Sequence, residues 1–402
     1  MKRRDFIKTG GLALGSSIFP YPIINAFSSQ ENDQPIKIGI IGCGDRGKGI
    51  MHVMKGLPGK YEITAICDIM DFRLAETKKT FPDISMKSYK NYEQLLNDSN
   101  VDAVVIATPL NMHFAPAKYA LQAGKHVYLE KTMTYNIPEA FELVKIAQAN
   151  PHLTLQVGHQ YRYTPLYYKV RDMIRSGYLG KITQIDSRWD RNWNWRRPVP
   201  DPSLEKIINW RMYKEFSGGL PAELLSHQID FINWAFETHP DLIMGTGGID
   251  NYKDGRTTYD NVQLILRYEK EDMIGNFGST CSNAREGYSF SIKGTEGTVE
   301  LLMNEGYFYP EEDKMEELGI VDGVSGATKL TWKEGRGIPI LEEKTKEGTW
   351  YALDDFFKSI HTSTKPASNV ISGATTAFCI HLANQSSFNK TIENWKPEFN
   401  LG

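Results

Sequence analysis

The stretch PIKIGIIGCGDRGKGI, residues 35–50, joins an apolar segment to a glycine-rich turn. The β-branched run Ile36–Ile41 is typical of a buried parallel strand. The spacing of Gly42, Gly44 and Gly47 is that of a G-x-G-x-x-G turn at the start of a helix. Such glycines permit a tight turn, close approach of the backbone to a pyrophosphate, and close helix–strand packing, with the helix N-terminus facing the phosphates. The stretch therefore predicts a dinucleotide-binding turn.

The second predicted strand, YEITAICD at residues 61–68, ends in an acidic residue. Asp68 at this position can accept hydrogen bonds from ribose hydroxyls, and it favours NAD because a 2′-phosphate would meet a carboxylate. Arg73 follows closely and could pair with such a phosphate, so NADP stays open. Asp45 and Arg46, inside the turn, are further predicted cofactor contacts. The alternative is a structural glycine turn followed by a surface aspartate.

Strand and helix patterns alternate through the first half of the chain. The predicted strands lie over 102–108, 126–132 and 153–160, and the predicted helices over 91–98, 112–123 and 138–149. This order predicts an α/β fold with a doubly wound parallel sheet, which binds ligands beyond the carboxyl ends of its strands. The topology places the following residues at the nucleotide crevice: Thr108, Pro109, Asn111, His113, Glu130, Lys131 and His159.

Composition narrows the class of protein. A chain of 402 residues is long enough for two domains, and its formal net charge of −3 argues against nucleic acid as the main partner. Its four cysteines lack C-x-x-C spacing, which predicts buried free thiols and no metal motif. No later segment reaches the roughly 18 apolar residues of a membrane span. We divide the chain into a signal and linker (1–34), a nucleotide domain (35–155) and a second domain (156–402) with terminal helices over 351–389.

The N-terminus is typical of a twin-arginine export signal. Arg3 and Arg4 precede Phe6, and an apolar stretch rich in small residues follows over 10–24. We therefore expect a periplasmic protein, with cleavage of the signal left open. A basic N-terminus with an incidental arginine pair is the alternative. Because this pathway moves folded proteins, an exported nucleotide enzyme would carry its cofactor tightly bound.

Seven segments together resemble the glucose–fructose oxidoreductase/inositol dehydrogenase/rhizopine catabolism (Gfo/Idh/MocA) family. They lie at 38–47, 107–113, 123–132, 157–182, 218–234, 293–301 and 354–366. The resemblance implies an N-terminal Rossmann domain, a C-terminal α+β domain with a large, mostly antiparallel sheet, a bound NAD and a homo-dimer or homo-tetramer. It also implies action on a sugar, glycoside or cyclitol. Two departures are Thr132, where the family usually has proline, and Glu223, where an aspartate is common.

Two side chains are candidates for moving the proton of a secondary alcohol. Lys131 ends a predicted strand at the crevice, where burial lowers a lysine pKa toward a useful range; a lysine paired with Glu130 is the alternative. His227 lies four residues after Glu223 on a predicted helix, so a carboxylate–imidazole pair can form there. The alternatives are a core histidine, a surface salt pair, or a metal site, for which the sequence supplies no obvious third ligand.

An aromatic and basic stretch, SRWDRNWNWRRP at residues 187–198, is a candidate sugar-binding surface. Indole faces stack on sugar rings and guanidinium groups bond to hydroxyls, so Trp193, Trp195 and Arg191 are predicted substrate contacts. An exposed strand or a subunit contact is the alternative. Tyr161 and Arg162 match a position that lines the substrate cleft in the resembled family.

Three functions remain open on the sequence. The first is an NAD(P)-dependent oxidoreductase that acts on a secondary alcohol and uses Lys131, His227 and Glu223. The second is a redox-neutral glycosidase that works through transient oxidation and elimination, as some relatives of the family do. The third is a carbohydrate- or nucleotide-binding protein without turnover. We favour the first because it is the commonest chemistry of the resembled family.

Overall fold

The computed structural model describes residues 34–311 and 337–401, together with the backbone of two short strands between these ranges. The arginine pair and apolar stretch of the predicted export signal lie outside the described residues. Within the described part, all four cysteines are buried free thiols, as predicted. No helix among the described residues is long and apolar enough to cross a membrane.

The first sheet is a six-stranded parallel sheet in the order β3-β2-β1-β4-β5-β6. Its strands are β1 Ile36–Ile41, β2 Tyr61–Cys67, β3 Lys87–Tyr89, β4 Ala103–Ile106, β5 His126–Leu129 and β6 Leu155–Val157. The central strands are apolar along nearly their whole length, which suits strands covered on both faces. Strands β1 to β3 are added toward one side of the sheet and β4 to β6 toward the other, so the strand order reverses beside β1. This order confirms the predicted doubly wound sheet.

Ten helices occur in the described part of the chain. They are α1 Asp45–Lys55, α2 Asp71–Thr80, α3 Tyr92–Leu96, α4 Phe114–Gln122, α5 Ile137–Ala149, α6 Pro165–Arg175, α7 Glu205–Ile208, α8 Ser226–Phe236, α9 Gly348–Thr362 and α10 Val370–Asn389. The helix predicted over 112–123 is split, because a 3₁₀ turn at Leu110–Met112 precedes α4. Strand β4 also ends earlier than predicted, at Ile106, so the polar residues after it leave the sheet and border the crevice.

The second sheet has nine strands in the order β16-β13-β12-β11-β7-β10-β9-β8-β17. They are β7 Ile182–Trp189, β8 Leu242–Gly248, β9 Asn261–Tyr268, β10 Met273–Thr280, β11 Tyr288–Gly294, β12 Gly297–Leu301, β13 Gly306–Pro310, β16 Ile338–Pro339 and β17 Ile392–Asn394. Strands β14 Ile320–Val321 and β15 Val324–Ser325 form a separate pair. Within this second sheet only the β7–β10 pairing is parallel among the described pairs, which confirms the mostly antiparallel sheet.

Helix α9, which follows most strands of the second sheet in sequence, packs against the first sheet. Its buried residues Leu353 and Phe356 belong to the same apolar cluster as Ile36 and Tyr128 of the first sheet. The Tyr61 hydroxyl donates to the Leu353 carbonyl. The division at residues 155 and 156 stays a prediction, while α9, which follows that division in sequence, packs on the nucleotide side.

Candidate active site

A cavity of about 710 Å³ opens at the carboxyl ends of the parallel strands. The glycine turn and Asp68 line one part of it, and Lys131 and His227 line another. The segment around Trp193 forms a further wall. The predicted nucleotide turn and the predicted proton-transfer residues therefore share one cavity.

The glycine turn is packed so tightly that side chains would not fit at two of its positions. Gly42 has a φ of +98°, and a Cβ there would lie 2.5 Å from the carbonyl oxygen of Ala107. A Cβ on Gly47 would lie 2.0 Å from the carbonyl oxygen of Gly42. The turn therefore requires glycine both for its left-handed conformation and for the close approach of α1 to β1.

Asp68 and Arg73 lie beside this turn. The Asp68 carboxylate accepts from the backbone N–H groups of Cys43 and Met70, both at 2.9 Å. The Arg73 guanidinium rests against Gly44, where a Cβ would lie 2.4 Å from its Nη1 atom. The Nε atom of Arg73 is buried and has no hydrogen-bond partner within the described ranges. A carboxylate and a partly unsatisfied cation thus face the same turn.

Arg46 connects the turn to the strand that carries Lys131. Its Nε atom donates to Glu130 Oε1 at 2.8 Å, and its Nη1 atom donates to Thr349 Oγ1 at 3.2 Å. Burial opposes a charged Arg46, but the charge and hydrogen bond of Glu130, together with the nearby Tyr128 and Glu347, outweigh burial, so the pKa of Arg46 is raised. Arg46 and Glu130, both predicted cofactor residues, therefore line the cavity and hold each other in place.

Lys131 is held by an unusual helical turn. Residues Pro221–Leu225, just before α8, form a π-helical turn. The Lys131 Nζ atom donates to the carbonyls of Ala222 at 3.2 Å and Glu223 at 2.8 Å. Burial lowers the pKa of Lys131, against the opposing charges of Glu223 and Glu130. This direction agrees with the sequence prediction. The Lys131–Thr132 peptide bond is cis.

The predicted pair between Glu223 and His227 does not form. Glu223 instead accepts from Arg211 Nε at 2.8 Å, and no bond joins it to His227 in the part of the chain described. Residues four apart face each other in an α-helix but lose that spacing across a π-helical turn. Burial alone would raise the pKa of Glu223, but the charges of Arg211 and Lys131 lower it.

His227 lies in an aromatic environment. Its ring centroid is 4.7 Å from that of Tyr161 and 5.6 Å from that of Trp189. Burial lowers the pKa of His227 well below its usual value, and the charge of Lys131 lowers it further. The imidazole is therefore neutral near pH 7 and able to accept a proton.

Four predicted residues do not line the cavity: Gly47, which lies within the glycine turn, and Arg162, Asn111 and His159. Arg162 is 1% exposed and forms a two-pronged ion pair with Asp230, so the substrate prediction for this residue is wrong. Asn111 lies beside the cavity, where its backbone N–H donates to the carbonyl of Phe216 at 3.2 Å; its cofactor contact stays a prediction. His159 is buried behind His227, 3.2 Å from Asp230. The side chains of Arg162 and His159 have the right place in sequence but are buried in the core.

The remaining predicted cofactor residues lie at or beside the crevice. Thr108, Pro109 and His113 line it after β4, and Asp45 lines it at the start of α1. The His113 ring contacts the carbonyls of Thr132 at 2.9 Å and Thr108 at 3.1 Å. These contacts fix the backbone on both sides of the cavity.

The aromatic and basic stretch forms one wall, as predicted. Trp193, Trp195 and Arg191 all line the cavity. Trp195 has a φ of +62°, a conformation that is rare for a large side chain. The Arg197 guanidinium lies 4.8 Å from the Trp193 ring and pairs with Asp45 at 3.0 Å, so this wall reaches the glycine turn.

Arg211, Trp210 and Arg197 line the cavity but were not among the predicted site residues. Arg211 lies 4.2 Å from the ring of Trp210 and bonds to Glu223. The repeated tryptophan–arginine neighbours were the available signal, since such pairs form cation–π contacts. Only the tertiary structure shows that Arg211, Trp210 and Arg197 line the same cavity.

Positive charge predominates around the cavity. Eight cationic residues line it: Arg46, Lys48, Arg73, Lys90, Lys131, Arg191, Arg197 and Arg211. Five carboxylates do so: Asp45, Asp68, Glu76, Glu130 and Glu223. Eight against five leaves a formal excess of three positive charges, in a chain whose net charge is −3. The cavity therefore suits anionic ligands.

The residues around the glycine turn fit a dinucleotide. The backbone of Gly42–Gly47 would hold the pyrophosphate at the N-terminus of α1, and Asp68 would bind ribose hydroxyls. The buried Nε atom of Arg73, which has no hydrogen-bond partner within the described residues, marks a polar group that a ligand can satisfy. No group of three histidine, cysteine or acidic side chains suited to a metal ion occurs among the residues searched, which are those described.

The fold and cavity define a dinucleotide-binding Rossmann protein with a second domain built on a large mixed sheet. Residues 36–159 match the family model described as "Oxidoreductase family, NAD-binding Rossmann fold". Residues 167–300 match the model described as "GFO/IDH/MocA C-terminal domain". The chain therefore belongs to the Gfo/Idh/MocA oxidoreductase family, as its motifs indicated.

Two proteins that are similar to part of this chain have names that refer to sugar or cyclitol chemistry. Inositol 2-dehydrogenase/D-chiro-inositol 3-dehydrogenase of Lactiplantibacillus plantarum is 27% identical over 198 residues, 49% of this chain and 51% of that protein. Glycosyl hydrolase family 109 protein 2 of Shewanella sp. ANA-3 is 31% identical over 194 residues, 46% and 41% of the two chains. This chain thus spans about half the length of these relatives or less.

One solved structure has the same fold over nearly all of its length. Levoglucosan dehydrogenase, in complex with NADH and levoglucosan, superposes with a TM-score of 0.72 at 19% identity. The match covers 90% of this chain and 99% of the other. At this identity the likeness shows the shared fold.

Proposed function

We propose that this protein is an NAD-dependent oxidoreductase that acts on a secondary alcohol of a sugar, glycoside or cyclitol. The observation that carries the proposal is that Lys131 and His227 line the same cavity as the glycine turn and Asp68. NAD, when bound, supplies the hydride acceptor. The inositol dehydrogenase relative supports a polyhydroxylated substrate.

The chain's own residues account for binding and for proton transfer. Trp193 and Trp195 offer faces for a sugar ring. The Lys131 Nζ atom is held by two backbone carbonyls and can bond to a substrate hydroxyl. His227, neutral because it is buried, can accept the proton of that hydroxyl directly or through Lys131.

Incubation of purified protein with NAD and a panel of sugars and cyclitols tests the proposal. The expected result is absorbance of NADH at 340 nm, or a keto-sugar by mass spectrometry when the cofactor stays bound. A protein that binds NAD but oxidises no member of the panel and exchanges no hydride contradicts the proposal and favours the non-catalytic alternative.

A second candidate is a redox-neutral, NAD-dependent glycosidase. The glycosyl hydrolase family 109 relative, at 31% identity over 194 residues, favours it. Oxidation at one carbon acidifies the neighbouring C–H, which permits elimination of the glycosidic substituent before water and hydride return. Release of nitrophenol from nitrophenyl glycosides without net NADH would identify this activity.

We also propose that the protein is exported through the twin-arginine pathway with its cofactor bound, and that it is a homo-dimer or homo-tetramer. The paired Arg3 and Arg4 support export. Ile265 and Ile274, 42% and 44% exposed on neighbouring strands of the large sheet, support a subunit contact. Native mass spectrometry of the purified protein tests both bound nucleotide and subunit number; a nucleotide-free monomer contradicts both.

A further inference from the structure

Arg191 is held by backbone hydrogen bonds just after the end of β7, an interior strand of the large sheet. Its backbone N–H donates to the carbonyl of Thr280 at 2.8 Å, and that of Trp193 donates to Cys281 at 3.1 Å. The segment therefore extends from β7 along the end of β10 instead of forming a free loop. A side chain on such a segment has a defined position relative to the cavity.

The guanidinium group of Arg191 has no anionic partner. The described part of the chain contains no carboxylate within ion-pair distance of it and no hydrogen bond from its nitrogens. By contrast, Arg46 pairs with Glu130, Arg197 with Asp45 and Arg211 with Glu223. Arg73 also lacks a carboxylate partner, but it lies against the dinucleotide turn. Arg191 is thus the unpaired arginine on the aromatic side of the cavity.

The nearest acidic groups are already engaged. The Asp190 carboxylate accepts from the backbone N–H of Thr280, and Glu223 accepts from Arg211. Arg191 is partly buried, and burial lowers its pKa. A guanidinium at the wall of a cavity that has no carboxylate partner is free to pair with an anionic group on a ligand.

Two indole rings orient the group. The guanidinium carbon lies 5.6 Å from the ring centroid of Trp189 and 5.3 Å from that of Trp195. The left-handed backbone of Trp195 helps to bring the second ring there. Stacking occupies the faces of a guanidinium and leaves its N–H edge free, and that edge matches a carboxylate with two parallel hydrogen bonds.

The charge around the cavity is consistent with this arrangement. Lys90 pairs with Asp71, which does not line the cavity, at 2.6 Å, so the excess that includes this partner is two positive charges, which a dinucleotide pyrophosphate at the glycine turn would balance. Within the described part of the chain, Arg191 then stays an arginine without a carboxylate partner on the aromatic side, and a neutral sugar would leave it so.

We propose that the substrate carries an anionic oxygen group, a carboxylate or a sulfate on the sugar, which binds Arg191 between the tryptophan-lined walls. The inference rests on the proposed function, since it names the class of substrate for that cavity. Acidic sugars such as hexuronates and their glycosides belong to this class, as do sulfated hexoses.

Binding of matched sugar pairs tests the inference. The probes are methyl glucuronide against methyl glucoside, methyl galacturonide against methyl galactoside, and glucose 6-sulfate against glucose. Titration calorimetry with NADH present measures their affinities. We expect at least one anionic member to bind about tenfold to a hundredfold more tightly than its neutral partner, with the preference falling as salt rises. No preference in any pair overturns the inference.

Substitution of Arg191 tests whether this residue causes the tighter binding of anionic sugars. Arg191→Gln should reduce it to about twofold or less, and Arg191→Lys, which keeps the charge but loses the planar fork, should retain part of it. Arg171→Gln is the matched control, because Arg171 lies 4.6 Å from the ring of Tyr168 and 4.9 Å from that of Trp234 but does not line the cavity. It should leave the preference intact. NADH binding reports whether each variant is folded.

The outcomes separate this inference from the proposed function. Turnover of neutral and anionic sugars with equal efficiency overturns the anionic substrate and leaves the oxidoreductase in place. An Arg191-dependent preference in binding without turnover of any sugar supports the anionic ligand and overturns the enzyme. A preference that persists in Arg191→Gln assigns the anion to another cation and overturns the role of Arg191.

Discussion

At the scale of single residues, Lys131 shows how position and environment combine. The end of β5 brings its side chain to the cavity, and two carbonyls of the π-helical turn hold its ammonium group. Burial lowers its pKa, which increases the fraction of neutral amine at a given pH. The residue is therefore oriented toward the cavity, and its ammonium group gives up a proton more readily than that of an exposed lysine.

Replacement of Lys131 by methionine should abolish turnover while NADH binding changes little. Loss of a general acid–base group lowers the rate by about 10²–10⁴-fold. Steady-state kinetics measure the effect, and NADH fluorescence measures binding. Lys125→Met is the matched control, because Lys125 also donates to two backbone carbonyls, those of Asp98 and Val101, but does not line the cavity. Normal turnover in Lys131→Met would remove the residue from the mechanism.

At the scale of elements, α8 is anchored to the first part of the chain by a buried ion pair. Asp230 on α8 accepts two bonds from Arg162, which lies in a 3₁₀ turn after β6. Thr376 of α10 donates to the same carboxylate at 3.1 Å. Because α8 also carries His227, this network sets the position of the imidazole over the cavity.

Replacement of Asp230 by asparagine should lower the free energy of unfolding by about 3–5 kcal/mol, because it leaves the buried charge of Arg162 without its partner. Urea unfolding measures the change. Lys90→Met, which removes the exposed pair with Asp71, should cost about 1 kcal/mol or less. If both variants lose the same small amount, the buried pair does not anchor α8.

At the scale of the whole molecule, buried histidines couple folding to pH. Burial lowers the pKa of both His159 and His381 to about 4. An unfolded histidine titrates near 6.5, so the unfolded chain binds more protons between pH 6.5 and pH 4. The contribution of these residues to stability is therefore complete above pH 6.5 and is lost as the pH falls through this window.

The His381→Gln variant should flatten this dependence. His381 lies on α10 beside the carbonyl of Thr134, at 3.1 Å, and glutamine can keep a bond to that carbonyl. The wild-type protein should lose on the order of 3 kcal/mol more than the variant between pH 7 and pH 4. Urea unfolding at both pH values checks this. Parallel losses in the two proteins would show that His381 stays uncharged in both states or is not buried in solution.

The sequence by itself determined the nucleotide half of the protein. The strand Ile36–Ile41 appears with the predicted bounds, because a run of β-branched residues and a glycine turn are local signals. Lys131 was predicted at the crevice because strand order alone brings the carboxyl ends of parallel strands together. The family motifs likewise predicted the second sheet.

Only the tertiary structure decided how side chains pair across long separations. Arg162 looked like a substrate contact, but Asp230, 68 residues later, draws it into the core. Glu223 bonds to Arg211 instead of His227 because the turn between them is π-helical. That Arg191 has no carboxylate partner among the described residues was likewise visible only in the tertiary structure. Periodicity encodes which face of an element is buried, whereas the partner of a charge depends on distances that the chain sets only when it is folded.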